Sequence, residues 1–375
     1  MLFHLKIYLV FFFLVSSLFS QNFINQTILF DGNEREYELY IPSSYSENSL
    51  SPLMFNFHGG SDFTYDQIQQ SDMRDLADEN NFILVYPQAH PDPNDGGSTN
   101  WIHKGDTDHD DIYFIDALIS ELSAQYQIDL ERVYACGYSL GGEFVYELLC
   151  RLSNKIAAGV VVARTMGQYQ YETCSPQHPT PIMTILGTED FYEGIDYMGE
   201  VIYISADETH QFWTEYNNTN YNPIEIEISD VNTNDGSTVT KRLWENGDAC
   251  VSVVEYRVNG GGHEWPGFNG NMDINSDNEI WEFVSAFNVD GLISDCNLSL
   301  TNEEQNIIIS PNPTRSMITI NNLSDKSILN IIDLKGNIIL ESTIEPGQSQ
   351  VNISEYSPGI YILKIGGYST KIIKK

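Results

Sequence analysis

Positive charge is what this chain most conspicuously lacks. Its 375 residues include 18 lysines and arginines against 53 aspartates and glutamates, a formal charge of −35 at neutral pH. Such a surface repels nucleic-acid phosphates and anionic membranes, so neither is an expected partner. Long apolar runs are missing too. Ile7 to Phe19 is a stretch of only 13 residues, and no later segment is long and apolar enough for a stable membrane span. With Lys6 before that stretch and Ser20-Gln21 after it, residues 1–20 read as an export signal peptide. Calcium loops are absent as well. In Asp106-Thr107-Asp108-His109-Asp110-Asp111 the sixth and twelfth positions are Asp111 and Ala117, where such a loop needs Gly and Glu; Asp273 to Asp277 fails in the same way, at Asn278 and Val284. Both clusters read as acids at helix N-termini, favoured by the helix dipole. Neither a metal nor a cofactor is expected.

The acidity is unevenly spread. Residues 301–375 carry seven acids and seven bases, whereas the first 300 carry 46 acids and 11 bases. This change near residue 300 divides the chain into an acidic domain over 21–297, a linker over 298–305 and a second domain over 306–375. Cysteine is scarce and odd in number. Cys136 is the expected free thiol, buried on a strand, while Cys150 and Cys174 flank the strand Ala158 to Ala163 and Cys250 and Cys296 remain. Sequence alone leaves the connectivity open.

Across the acidic domain, strands and helices alternate. A hairpin (Asn25 to Phe30, Arg35 to Ile41) turns at Asp31-Gly32-Asn33, and the strand Leu53 to Phe57 ends at His58-Gly59-Gly60. Next come a helix around Gln67 to Glu79, the strand Phe82 to Tyr86, a helix from Ile112 to Tyr126 and the strand Val133 to Cys136. A helix with Phe144, Val145, Leu148 and Leu149 at 3.6-residue spacing follows, then strands at Ala158 to Ala163, Ile182 to Leu186 and Val251 to Val258, and a helix from Ser276 with a Ser276/Glu279 capping box. The pattern predicts an α/β fold with a mostly parallel sheet. From Asn306 onward helical periodicity disappears, and short β segments predict a small all-β sandwich.

The chemistry is carried by Gly137-Tyr138-Ser139-Leu140-Gly141, placed between a strand and a helix. The glycines let the strand turn sharply into the helix and hold Ser139 in a strained conformation with its hydroxyl exposed, the nucleophile-elbow arrangement of α/β-hydrolases. A serine hydroxyl needs a base, and the base needs an orienting carboxylate, in the chain order Ser, acid, His. Of the later histidines, His263 lies in Gly260-Gly261-Gly262-His263-Glu264-Trp265-Pro266-Gly267 just past the last strand; His178 reads as a loop residue and His210 as an exposed helix position. Asp190, preferred over Glu189, follows the strand Ile182 to Leu186. Oxyanion donors are expected from the backbone N–H of Leu140 and of Gly60 or Gly59. His58 precedes Ser139 and reads as structural, and Trp101, Trp265 and Tyr138 are candidate substrate contacts.

Together these residues resemble the extracellular esterases that include polyhydroxybutyrate depolymerases, feruloyl esterases and acetylxylan esterases of carbohydrate esterase family one. The landmarks include Arg35-Glu36-Tyr37, His58-Gly59-Gly60, Trp101, Asp110-Asp111, Gly137-Tyr138-Ser139, Gly187-Thr188-Glu189-Asp190 and the glycine-rich segment ending at Gly267. The resemblance implies an α/β-hydrolase fold with Ser139 as nucleophile, Asp190 as acid, His263 as base, and a Cys150–Cys174 disulfide. Members often carry a further cysteine near the position of Trp213 that pairs at that of Cys250; here Asn218-Thr219-Asn220 stands there. Residues 306–375 resemble the C-terminal sorting domain of type IX secretion cargo, through Ser310-Pro311-Asn312-Pro313, Gly359 to Lys364 and the basic end Lys371 to Lys375. That implies export, contact with the type IX secretion machinery, and an extracellular or cell-surface location. The expectation is a secreted serine esterase acting on an ester substrate, polymeric or polysaccharide-derived. A non-catalytic binding protein on the same fold, a peptidase and a lipase are the alternatives.

Overall fold

The structure, a computed structural model, describes residues 23–93, 96–101, 110–294, 308–323, 326–332, 338–365 and 368–375. The chain falls into two compact units divided between Ser294 and Asp295. The expected signal peptide, linker, Cys296 and the acids Asp106 to Asp108 lie outside the described residues.

The larger unit opens with the hairpin β1 (Ile24–Phe30) and β2 (Asn33–Tyr40), turned through the left-handed residues Asp31 and Gly32. There follow β3 (Ser51–Phe57), α1 (Thr64–Gln70), α2 (Arg74–Asn80), β4 (Ile83–Pro87), α3 (Asp111–Gln125), β5 (Ile128–Tyr138), α4 (Leu140–Arg151), β6 (Ala158–Val162), α5 (Gln168–Thr173) and β7 (Ile182–Gly187). A small hairpin, β8 (Ile195–Tyr197) and β9 (Glu200–Tyr203), precedes α6 (Ala206–Asn217), β10 (Ile224–Glu227), β11 (Thr238–Trp244), β12 (Val253–Asn259), α7 (Ser276–Val284), β13 (Phe287–Asn288) and β14 (Gly291–Leu292).

Ten of these strands form one sheet in the order β1-β2-β4-β3-β5-β6-β7-β12-β11-β10. The six from β4 to β12 run parallel, and antiparallel strands extend both edges. The fold is that of an α/β-hydrolase. Parallel strands must be covered on both faces, and alternate residues of β3 and β5 divide accordingly. Leu53, Phe55, Phe57, Val133 and Ala135 enter one core with residues of α3 and α4, while Met54, Tyr134 and Cys136 enter the other with residues of α2 and α7.

The structure corrects three local expectations. The helix around Gln67 to Glu79 is two helices, because the buried Tyr86 hydroxyl donates to the Ser71 carbonyl and accepts from the Met73 N–H at 3.3 Å, breaking the chain between α1 and α2. The cap of α7 is Asn275, whose side chain accepts from Asn278 N; Ser276 donates instead to the Pro266 carbonyl at 2.8 Å. His210 is buried rather than exposed, stacked on Trp244 and bonded through Nε2 to Thr184 Oγ1 at 2.8 Å. Strands β10 and β11 escaped the sequence reading, since acids and bases on them obscure the two-residue alternation.

Cys150 and Cys174 form a disulfide, and Cys136 is free and buried. Cys250 is also disulfide-bonded. Asp110 and Asp111 sit at the start of α3, where Asp110 accepts from Ile112 N and Asp111 pairs with buried Arg35 at 2.5 Å. Arg151 reaches Asp110 at 2.6 Å.

The smaller unit contains a three-stranded sheet, β15 (Ile308–Ser310), β16 (Met317–Leu323) and β19 (Gly347–Asn352), and a four-stranded sheet, β17 (Ser327–Ile332), β18 (Ile338–Ile344), β20 (Gly359–Ile365) and β21 (Tyr368–Lys374). Ile318, Ile320, Leu329, Ile331, Leu363 and Ile372 form its core. The polar β19 and basic β21 escaped the sequence reading.

Candidate active site

The site lies at the C-terminal ends of the parallel strands. As β5 turns into α4, Ser139 takes φ 52° and ψ −119°, a conformation costly for any residue with a side chain. Its N–H donates to the Val162 carbonyl at 3.0 Å, and its carbonyl accepts from Glu143 N at 3.0 Å, so both flanks fix the strained residue. The neighbouring glycines are sterically required. A Cβ on Gly137 would meet the Gly141 carbonyl oxygen at 2.4 Å, and a Cβ on Gly141 would meet that of Phe57 at 2.4 Å.

Two distant loops converge on the serine. His263 Nε2 lies 2.9 Å from Ser139 Oγ, and His263 Nδ1 lies 2.7 Å from Asp190 Oδ2. The short Nδ1 contact suits the tautomer with its proton on Nδ1, donated to the carboxylate, which leaves Nε2 free to accept from the serine hydroxyl. Asp190 has only 8% of its side chain exposed, whereas the neighbouring Glu189 points to solvent and its N–H donates to the Gly261 carbonyl. Gly187 lets the two loops touch, since a Cβ there would meet the Gly262 carbonyl oxygen at 2.3 Å.

The glycine loop after β3 abuts the elbow. A Cβ on Gly59 would lie 3.6 Å from Cβ of Ser139, and one on Gly60 would clash with the Leu140 side chain. Tyr138 is half-buried, with its hydroxyl donating to the His263 carbonyl at 2.9 Å and its ring 5.0 Å from the imidazole. Burial, then Asp190, Asp62 and Glu264, push its phenol up to about 12, so it remains a neutral donor.

Trp101 and Trp265 differ from their expected role as substrate contacts: they are 5% and 1% exposed and pack in the core. Trp101 stacks on Phe144 and donates to the His58 carbonyl at 2.9 Å, bracing the glycine loop. Trp265 donates to Asp277 at 3.1 Å, bracing the histidine loop. His58 is fully buried, accepting from Ala89 N at 3.1 Å, and desolvation lowers its imidazole to about 4. His178 is half-buried, its Nε2 against the Ser153 carbonyl.

Four residues support the site in ways the sequence did not disclose. Glu264 accepts from Gly262 N at 3.2 Å and Asn271 N at 2.8 Å, clamping the histidine loop. Phe191 sets its ring edge-on to His263 at 5.3 Å, and Arg164 lies over the Phe191 ring at 4.9 Å while bonding Glu143 and Tyr203. Asp277 accepts from both Trp265 and Ser71, linking the histidine loop to the segment after α1. Only their partners reveal what they do.

Residues 308–375 match the family model described as a secretion system C-terminal sorting domain. Over 267 residues, 70% of this chain, the sequence is 28% identical to a bifunctional acetylxylan esterase/xylanase of Neocallimastix patriciarum. It is 26% identical to feruloyl esterase B of Piromyces equi over 68% of this chain. The match spans only 35% and 46% of those relatives' own lengths. Among solved structures, an acetyl xylan esterase from Aspergillus awamori aligns with 70% of this chain and 99% of its own, at TM-score 0.49 and 14% identity. In sequence the chain is thus similar to acetylxylan and feruloyl esterases over about 70% of its length, and residues 308–375 match a secretion-system sorting domain.

Proposed function

We propose that the larger unit is a serine esterase that cleaves carboxylic esters borne by carbohydrate, through a covalent acyl-enzyme. The observation that carries this reading is the single hydrogen-bonded line from Asp190 through His263 to a strained Ser139. His263 Nε2 takes the hydroxyl proton as Ser139 Oγ attacks the ester carbonyl, and Asp190 stabilises the imidazolium that forms. The N–H groups of Leu140 and of Gly60 or Gly59 receive the developing oxyanion; among the described residues no acceptor occupies them. His263 then protonates the departing alcohol and activates a water that releases the acid.

The substrate class rests on the relatives, whose names are those of acetylxylan and feruloyl esterases. The sorting-domain match supports work outside the cell, with the secretion machinery as the smaller unit's partner. In the test, wild type and Ser139→Ala are compared on phenyl acetate and labelled with a fluorophosphonate. Wild type is expected to turn over the ester and take the label, and the variant to do neither while unfolding at the same urea concentration. Turnover retained by the variant refutes the scheme.

A further inference from the structure

Four carboxylates surround the nucleophile, and three are already engaged. Asp190 holds His263, Glu143 holds Arg164 and Tyr203, and Glu264 accepts two backbone N–H groups of its own loop. Asp62 is the fourth. Among the described residues no group donates to its carboxylate, although its backbone is firmly tied, the N–H to Gly59 O at 3.4 Å and the carbonyl to Thr99 Oγ1 at 2.7 Å. The carboxylate lies against Gly59, in the glycine loop beside the serine. A first side-chain carbon placed on Gly59 would sit 2.6 Å from Asp62 Oδ2, 3.2 Å from the Tyr138 ring and 3.6 Å from Cβ of Ser139, so all four share one small space. The nearby Asp66 is no alternative, since its Oδ2 accepts from Phe63 N at 2.9 Å and closes the start of α1.

Aromatic side chains follow Asp62 in the chain. Phe63 and Tyr65 stack with ring centroids 5.6 Å apart and an interplanar angle of 9°, and they are 45% and 64% exposed. An exposed stacked pair beside an unengaged acceptor offers two things at once: a flat apolar face and a charged hydrogen-bond acceptor. A sugar ring has the complementary pair, a face of C–H groups and a rim of hydroxyl donors. An anionic ligand is disfavoured, because Asp62 and Asp66 lie together there; burial and Asp66 both raise the Asp62 carboxyl, and His263 opposes them.

We infer that Asp62 is a specificity-determining residue that accepts a hydroxyl of the sugar bearing the ester, with Phe63 and Tyr65 as the platform for a neighbouring ring. This inference rests on the esterase reading. It adds which side of the ester is recognised: the alcohol, through a neutral hydroxylated ring.

The test uses the full chain with two substrates, monoacetylated methyl β-xylopyranoside and phenyl acetate. Each variant's readout is the ratio of kcat/KM for the sugar ester to that for the phenyl ester, so effects common to both cancel. Asp62→Ala is expected to lower the ratio by roughly ten- to a hundredfold, the worth of a hydrogen bond to a charged acceptor, mainly through KM. The isosteric Asp62→Asn is expected to lower it less, and Tyr65→Ala is expected to lower it on a longer oligosaccharide acetate. Fluorophosphonate labelling of Ser139 confirms that each variant is folded. A ratio unchanged in labelled Asp62→Ala and Asp62→Asn overturns the assignment, as does a wild type that cleaves phenyl acetate but not the sugar ester. A wild type that cleaves neither and takes no label refutes the esterase reading itself, and this inference with it.

Discussion

Replacing Asp277 by asparagine isolates one electrostatic cost of holding the histidine loop. Asp277 accepts from Ser71 Oγ at 2.7 Å and Trp265 Nε1 at 3.1 Å. Burial outweighs both bonds and raises its carboxyl from 3.8 to about 6. Between those values the folded protein keeps a proton that the unfolded chain releases. The group therefore favours the fold below pH 3.8, and that contribution is lost as pH rises through about 6. Two pH units correspond to about 3 kcal/mol, which the partial exposure of Asp277 reduces to about 2 kcal/mol. Wild type hides the effect, because His58, lowered from 6.5 to about 4 by burial, acts with the opposite sign: its contribution is present above 6.5 and lost as pH falls through 4. The variant minus wild-type difference exposes it. Asparagine keeps an acceptor for Trp265 and Ser71 without the charge, so the difference in unfolding free energy should shift in the variant's favour by about 2 kcal/mol between pH 3.5 and pH 7. Urea unfolding followed by tryptophan fluorescence reads the right unit, since all five tryptophans, at 101, 213, 244, 265 and 281, lie before residue 295. A difference constant to within about 0.5 kcal/mol across that window would refute the reasoning.

Four further outcomes follow from the site and its scaffold. Asp190→Asn should lower kcat on phenyl acetate by about 10⁴, because the amide no longer selects the Nδ1-protonated imidazole; a loss below tenfold would show that Asp190 is not the orienting acid. Gly141→Ala, whose Cβ would lie 2.4 Å from Phe57 O and 2.5 Å from His58 O, should cost more than about 3 kcal/mol of stability by urea midpoint. Gly262→Ala, with nothing within 4 Å, should cost less than about 1 kcal/mol in the same assay. Joint replacement of Cys150 and Cys174 by serine, opening a loop across 24 positions, should remove about 3 kcal/mol, measured by thermal unfolding against the unreduced wild type.

The elbow was legible because its chemistry is local: a strained serine between obligatory small residues leaves a mark within five positions, and Gly137 and Gly141 are that mark. The strand-helix alternation was legible for a similar reason, since strands covered on both faces must be apolar at nearly every position, as β3 and β6 are. The chain order of Ser139, Asp190 and His263 and the glycines beside the histidine were also readable, because loop geometry constrains residue type. The two tryptophans were misread as substrate contacts because an aromatic next to a motif residue looks the same whether it faces the cleft or braces the loop from behind. His210 was misread because acids before it in α6 suggest solvent, while its own face turns to Thr184 and Trp244.

What the sequence determined by itself was which serine, histidine and aspartate come together, the layered α/β architecture and the change of character near residue 300. Only the tertiary structure decided which carboxylates near Ser139 are engaged and which, Asp62, receives no donor from the described residues. The reason is physical: a backbone conformation is imposed by neighbouring residues, whereas a carboxylate's role is set by donors brought from elsewhere in the chain, such as Arg164 for Glu143 and Trp265 for Asp277.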